Sequence, residues 1–179
     1  MERTRSRSLF IGYQLCSLLT VEVFMEKEFM RLAIEWALKG VKTGQTPFGA
    51  CIVKKGKIIA CEHNVVWKTK DITAHAEVTA IRAACLKLNS IDLSGCVLYS
   101  TCEPCPMCFS AIHWARIEKV YYGARIADAK RAGFHELSVS NRKLKNLGKS
   151  PVHIRGPRMR EECLKLFDEF EKKGSAKLY

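Results

Sequence analysis

At 179 residues, with 47% apolar and 27% charged residues and no repeat of solenoid period, the chain has the size and balance of one globular domain. That excludes a multidomain machine, a collagen-like or solenoid protein and a disordered chain. Thirty Lys and Arg against eighteen Asp and Glu give a net charge of +12, compatible with a polyanionic partner, and from Lys130 onward thirteen basic residues face six acidic ones. Nine cysteines, an odd number without the dense spacing of a small secreted scaffold, read as reduced thiols of a cytoplasmic protein.

The first segment places Arg3, Arg5 and Arg7 before an apolar run from Leu9 to Phe24, in the manner of a signal peptide. Gln14, Thr20 and Glu22 interrupt that run, no Ala-x-Ala cleavage site follows, and the run is too short and polar to span a bilayer. Residues 1–24 are therefore read as an N-terminal extension upstream of a start at Met25, residues 25–179 as the domain, and no membrane partner is expected.

Phe29, Leu32, Ala33, Trp36 and Ala37 recur at helical spacing between Glu26 and Lys42, with Trp36 expected in the core, and Gly44 supplies a stop. Two β-prone runs, 49–54 and 57–61, joined by Lys55-Gly56, read as a hairpin. After a polar loop, 75–88 is an alanine-rich helix, 97–100 a short buried strand, 107–115 a helix and 120–123 a strand. That strand, helix, strand order favours a parallel pairing and an α/β layered sheet of mixed direction. A basic loop with Arg142, Lys143, Lys145 and Lys149 leads to an edge strand at 151–155, marked as such by its proline. Met159, Cys163, Leu166, Phe167 and Phe170 mark a closing helix.

Chemistry concentrates in two places about thirty residues apart: His75-Ala76-Glu77 and Pro104-Cys105-Pro106-Met107-Cys108, each where a loop meets a predicted helix start. Cys105 and Cys108, three apart, bring two sulfurs within reach of one ion, and helix N-termini favour the thiolate form. With His75 as the third protein ligand the fourth position is left to water, as in a catalytic zinc site. Glu77, two residues from the ligand, is placed to exchange protons with that water. A closed structural site using Cys102 as fourth ligand would have no use for Glu77, and Cys102 reads as a buried strand-end thiol. Cys51, Cys61, Cys85, Cys96 and Cys163 read as core cysteines. No glycine-rich phosphate loop is present.

His-x-Glu followed by Pro-Cys-x-x-Cys is the signature of zinc-dependent deaminases that act on bases. With Thr46-Pro47-Phe48-Gly49-Ala50, Thr73-Ala74 before His75, His113-Trp114-Ala115-Arg116 and the run from Asp128 to Phe134, the chain from about Glu26 to Tyr179 resembles the bacterial guanine deaminase branch of the cytidine/deoxycytidylate deaminase superfamily. The tRNA adenosine deaminase branch shares the zinc motifs but usually has His-Ser-Arg in place of Trp114-Ala115-Arg116 and Pro-Val-Gly in place of Pro47-Phe48-Gly49. The resemblance implies a three-layer α/β/α fold with a five-stranded mixed sheet, a homodimer, a Zn2+ cofactor, and hydrolysis of guanine to xanthine and ammonia. It implies further that Asn64 hydrogen-bonds the purine, that Phe48 and Trp114 shape a flat pocket, that Glu136 supplies the acid after the Gly-Phe pair, and that Tyr179 is the C-terminal aromatic near the substrate. The alternatives are a tRNA-specific adenosine deaminase, with tRNA as partner, and a cytosine-type deaminase.

Overall fold

The computed structural model describes residues 5–174 and 178–179, with side chains from Phe24 to Gly174 and at 178–179. Side-chain detail of the 1–24 extension read from the sequence lies, Phe24 apart, outside the described residues. Helix α1 (Arg5–Lys42) contains the predicted first helix as its C-terminal part. There Met30, Ala33, Ala37 and Val41, spaced by three and four, are buried against the sheet. Trp36, expected in the core, is instead half-buried between the Lys39 ammonium, 4.4 Å from its ring centroid, and the His63 ring. Its register on the helix is one step off the stripe that faces the sheet.

Strands β1 (Gly49–Lys54) and β2 (Lys57–His63) form the predicted hairpin. Lys55 and Gly56 both take positive φ, 50° and 73°, the pair of left-handed residues that a two-residue turn matching strand twist requires. Short helix α2 (Val66–Thr69) precedes α3 (Ala76–Leu88), β3 (Cys96–Cys102), α4 (Pro106–Trp114) and β4 (Lys119–Ala124). Then come α5 (Ile126–Arg131), α6 (Asn141–Gly148), β5 (His153–Arg155) and α7 (Arg160–Lys172). The sheet order is β2-β1-β3-β4-β5, with antiparallel β1–β2 and β1–β3 pairs and parallel β3–β4 and β4–β5 pairs. It is the five-stranded mixed sheet with helices on both faces expected from the sequence.

Alternation along the central strands divides the interior in two. Ala50, Ile52, Leu98 and Val120 face a layer with Ala80, Ala84, Phe109 and Ile112 of α3 and α4. Cys51, Val53, Tyr99 and Tyr121 face the other, with Phe29, Met30, Cys163 and Phe170 of α1 and α7. A fully buried side chain of this kind stabilises by ~1.5–3 kcal/mol. The exposed pairs Arg82–Asp71 and Arg116–Asp92 are screened by solvent and add little, so the two apolar layers hold the fold.

Two expectations are corrected. The basic segment read as a loop is the helix α6, started by the Ser140 side chain, which accepts a hydrogen bond from the Lys143 N–H, and held by buried Asn141 and partly buried Leu144. Too few apolar residues mark its face for periodicity to find it. Cys51 and Cys61, read as reduced core thiols, occupy one register position of the β1–β2 pair with Cα atoms 4.1 Å apart and are joined as a disulfide. Among the described residues no helix is long and apolar enough to cross a membrane.

Candidate active site and metal centre

Strands β2 and β3 both run antiparallel to β1, so the chain leaves both at one end of the sheet, where α3 and α4 start. His75 is the N-cap of α3 and Cys105 the N-cap of α4, both in extended backbone, with Pro106 at the first helical position of α4. Neither uses a side chain to cap its helix. Both side chains are turned instead to each other: His75 Nδ1 lies 3.7 Å from Cys105 Sγ and 3.6 Å from Cys108 Sγ. The three ligand atoms all fall within 4.8 Å of one another. A tetrahedral zinc with Zn–S near 2.3 Å and Zn–N near 2.0–2.1 Å requires an N···S edge of ~3.6 Å, so the donor set and its spacing fit that ion.

Glu77, in the first turn of α3, is 5% exposed. Ser100 Oγ donates to its Oε1 at 3.2 Å and the Cys108 thiol approaches its Oε2 at 3.5 Å. Burial, together with the charge of Cys105, raises the pKa of its carboxyl. Cys105 is brought down to about 4, chiefly by the hydrogen bond from Cys108, while Cys108, which gives that bond and is buried, is pushed well up. Burial works against protonated His75, but its contact with Cys105 and the Glu77 charge outweigh this, and its pKa is raised.

A cleft of about 270 Å³ opens onto this group, lined by Phe48, His75, Cys105, Phe134, Glu136 and Tyr179 among others. Phe48 meets Phe134 edge-on at 4.9 Å between centroids. Burial, with the Cys105 charge, raises the Glu136 carboxyl to about 7. Asn64 is fully buried; its Oδ1 accepts the Val66 N–H at 3.1 Å and its Nδ2 donates to the Tyr179 hydroxyl. Tyr179 also stands 3.4 Å from Thr46 Oγ1. Three of the five residues implied as substrate contacts, Phe48, Glu136 and Tyr179, thus line this cleft, and Asn64 lies buried behind it, bonded to Tyr179.

Trp114 does not. It ends α4, nine residues beyond the N-cap, is 82% exposed, and lines a separate hollow of about 990 Å³ with Ile91, Arg116 and Pro151. The expectation that it walls the same pocket as Phe48 is corrected within this chain, because the length of α4 separates it from Cys105. Ser100 went unnoticed in the sequence. The signal was there: a hydroxyl closing the buried apolar run Val97–Tyr99 has to find a polar partner.

The model of the cytidine and deoxycytidylate deaminase zinc-binding region matches residues 25–124. The chain belongs to the cytidine and deoxycytidylate deaminase family. It is 52% identical over 109 residues to the guanine deaminase of Bacillus subtilis (strain 168), covering 60% of this chain and 70% of that protein. To the tRNA-specific adenosine deaminase of Aquifex aeolicus (strain VF5) it is 48% identical over 110 residues, 61% of this chain and 72% of the other. A solved guanine deaminase from Nitrosomonas europaea superposes with a TM-score of 0.74 at 27% identity, covering 80% of this chain and 83% of that one. The family's zinc-binding character and the grouping of His75, Cys105 and Cys108 agree on where a metal would sit.

Proposed function

We propose that this family member hydrolyses a free nucleobase, guanine, to xanthine and ammonia, with Zn2+ held by His75 Nδ1, Cys105 Sγ and Cys108 Sγ. The observation that carries the reading is the small cleft over His75 and Cys105: at about 270 Å³ it lies below the range of drug-sized ligand pockets and is walled by aromatic rings and a carboxyl, the complement of a flat purine. A zinc ion in that site supplies Lewis acidity and lowers the pKa of a coordinated water towards ~7. Glu77, buried and held by Ser100 and Cys108, takes the water's proton and hands it to the ring nitrogen beside the carbon that carries the amine. A second transfer through the same carboxyl makes ammonia the leaving group. The Asn64 amide has two N–H groups, one engaged by Tyr179, which leaves the other for the purine. Glu136 accepts from an N–H of the base at the far wall.

The protein acts in the cytoplasm as a homodimer. What supports the dimer is the exposed Trp114 with Ile91, 82% and 85% exposed on one hollow, an apolar surface that a second copy would cover. A role for Trp114 at the substrate then lies across that interface and not within its own chain.

The second reading, a tRNA-specific adenosine deaminase, is favoured by α6: Arg142, Lys143 and Lys145 stand on a helix whose first residue is bonded to Glu103 and Pro104, beside the cleft. A cytosine-type substrate is the third. Ammonia release against guanine, adenine, cytosine, their nucleosides and an anticodon stem-loop RNA separates the three. Turnover of guanine is the expected result; turnover of the stem-loop with free guanine ignored overturns the reading.

A further inference from the structure

Asn141 lies 36 residues beyond Cys105 in the chain, at the first turn of α6, and is fully buried. Its N–H donates to Glu103 Oε1 at 2.9 Å, and its side-chain Nδ2 donates to the Pro104 carbonyl. One residue therefore holds both positions that immediately precede Cys105. Glu103 is fixed from the other side as well, its N–H donating to the Ala124 carbonyl at the end of β4 at 2.8 Å. The Pro104 carbonyl and the Cys105 N–H are opposite ends of one planar peptide unit, so anchoring the carbonyl sets the plane from which the Cys105 side chain departs. Asn141 Oδ1 is, among the described residues, the only buried side-chain nitrogen or oxygen without a hydrogen-bond partner.

We infer that Asn141 is a positioning residue for the metal centre, acting through the Pro104–Cys105 peptide to aim the Cys105 sulfur. This rests on the reading of His75, Cys105 and Cys108 as the zinc ligands. Partners that orient a ligand from behind typically account for a 10–100-fold difference in metal affinity or activity. In the zinc-loaded protein, Asn141→Ala should bind zinc about tenfold more weakly, measured by competition with a chromophoric chelator, at unchanged far-ultraviolet circular dichroism. The thiolate-to-metal band of the cobalt-substituted variant should shift, and kcat should fall with KM little changed. Asn141→Ser, whose donor stops a bond short of the Pro104 carbonyl, should move in the same direction and serves if the alanine variant does not fold. Zinc affinity and a cobalt spectrum equal to those of the unsubstituted protein in either folded variant would overturn the inference. Cys105→Ser is measured in parallel. If it loses zinc while Asn141→Ala retains it, the role of Asn141 alone is wrong; if it holds zinc undiminished, the ligand assignment is wrong and the role of Asn141 falls with it.

Discussion

The roles proposed for Glu77 and Asn64 differ, and the difference can be measured. With Glu77 as the proposed proton carrier, Glu77→Gln should keep zinc and fold yet lose at least the ~10²–10⁴ in kcat typical of a general acid-base group. Metal analysis beside a turnover assay checks this, and wild-type-like turnover would exclude the mechanism. Ser100→Ala removes only the donor to Glu77 Oε1 and should cost far less. The role proposed for Asn64 is to hold the base, and Asn64 is not among the proposed metal ligands. Asn64→Ala should therefore raise KM for guanine at unchanged zinc content; it also releases the Val66 N–H and the Tyr179 hydroxyl, so a stability loss of ~1–3 kcal/mol accompanies it. An unchanged KM would remove Asn64 from the substrate's contacts.

Between elements, the strongest polar tie is Asp128. Its carboxyl, 3% exposed, closes the first turn of α5 by accepting the Arg125 N–H at 2.8 Å and pairs with Arg160 at the start of α7 and with Arg131. The hydrogen bond from Arg160 leads in holding its pKa down to about 2, against an ordinary 3.8. A carboxyl with a depressed folded-state pKa stabilises the fold fully above its unfolded value and loses that contribution as pH falls through the folded one. The Asp128 contribution should thus be intact above about pH 4 and fade towards pH 2. Asp128→Asn should abolish that part of the acid dependence and lower stability at neutral pH by ~1–2 kcal/mol, since it removes the charge that pairs with Arg160 and Arg131 in a partly solvated setting. Urea unfolding at pH 7 and pH 3 tests both; a midpoint difference between wild type and variant that is the same at the two pH values would refute the assignment.

At the scale of the molecule, charge and apolar surface make separate demands. A neutral base releases no counterions on binding, so guanine turnover should be nearly flat in salt, whereas a tRNA substrate engaged by α6 would lose affinity steeply as phosphate contacts are screened. A steep salt dependence of kcat/KM would point to the basic helix as substrate surface. Trp114→Ala should shift the monomer–dimer equilibrium towards monomer in sedimentation velocity while leaving the isolated chain's stability within ~0.5 kcal/mol, because the ring is 82% exposed. An unchanged equilibrium would place the interface elsewhere.

What the sequence alone determined is whatever local spacing encodes. The i, i+3 pair Cys105 and Cys108, the two-residue step from His75 to Glu77, the Lys55-Gly56 turn and the alternation along β1, β3 and β4 are properties of neighbouring residues, and backbone geometry converts them directly into ligand pairs, a hairpin and a two-faced sheet. The Ser100 bond to Glu77, the cross-strand pairing of Cys51 with Cys61, the helix formed by 141–148, the clasp of Asn141 on Pro104 and the removal of Trp114 from its expected pocket belong to the tertiary structure. Each joins residues distant in the chain or depends on where an element ends, and α6 is eight residues long with two leucines, Leu144 and Leu147, too short an apolar signal to announce itself before Asn141 is buried. The closeness of Phe48, Asn64, Glu136 and Tyr179 was implied by resemblance to a family, and only the packed arrangement of β1, β2, α5 and the C-terminal residues brings Phe48, Glu136 and Tyr179 to one cleft with Asn64 bonded behind Tyr179.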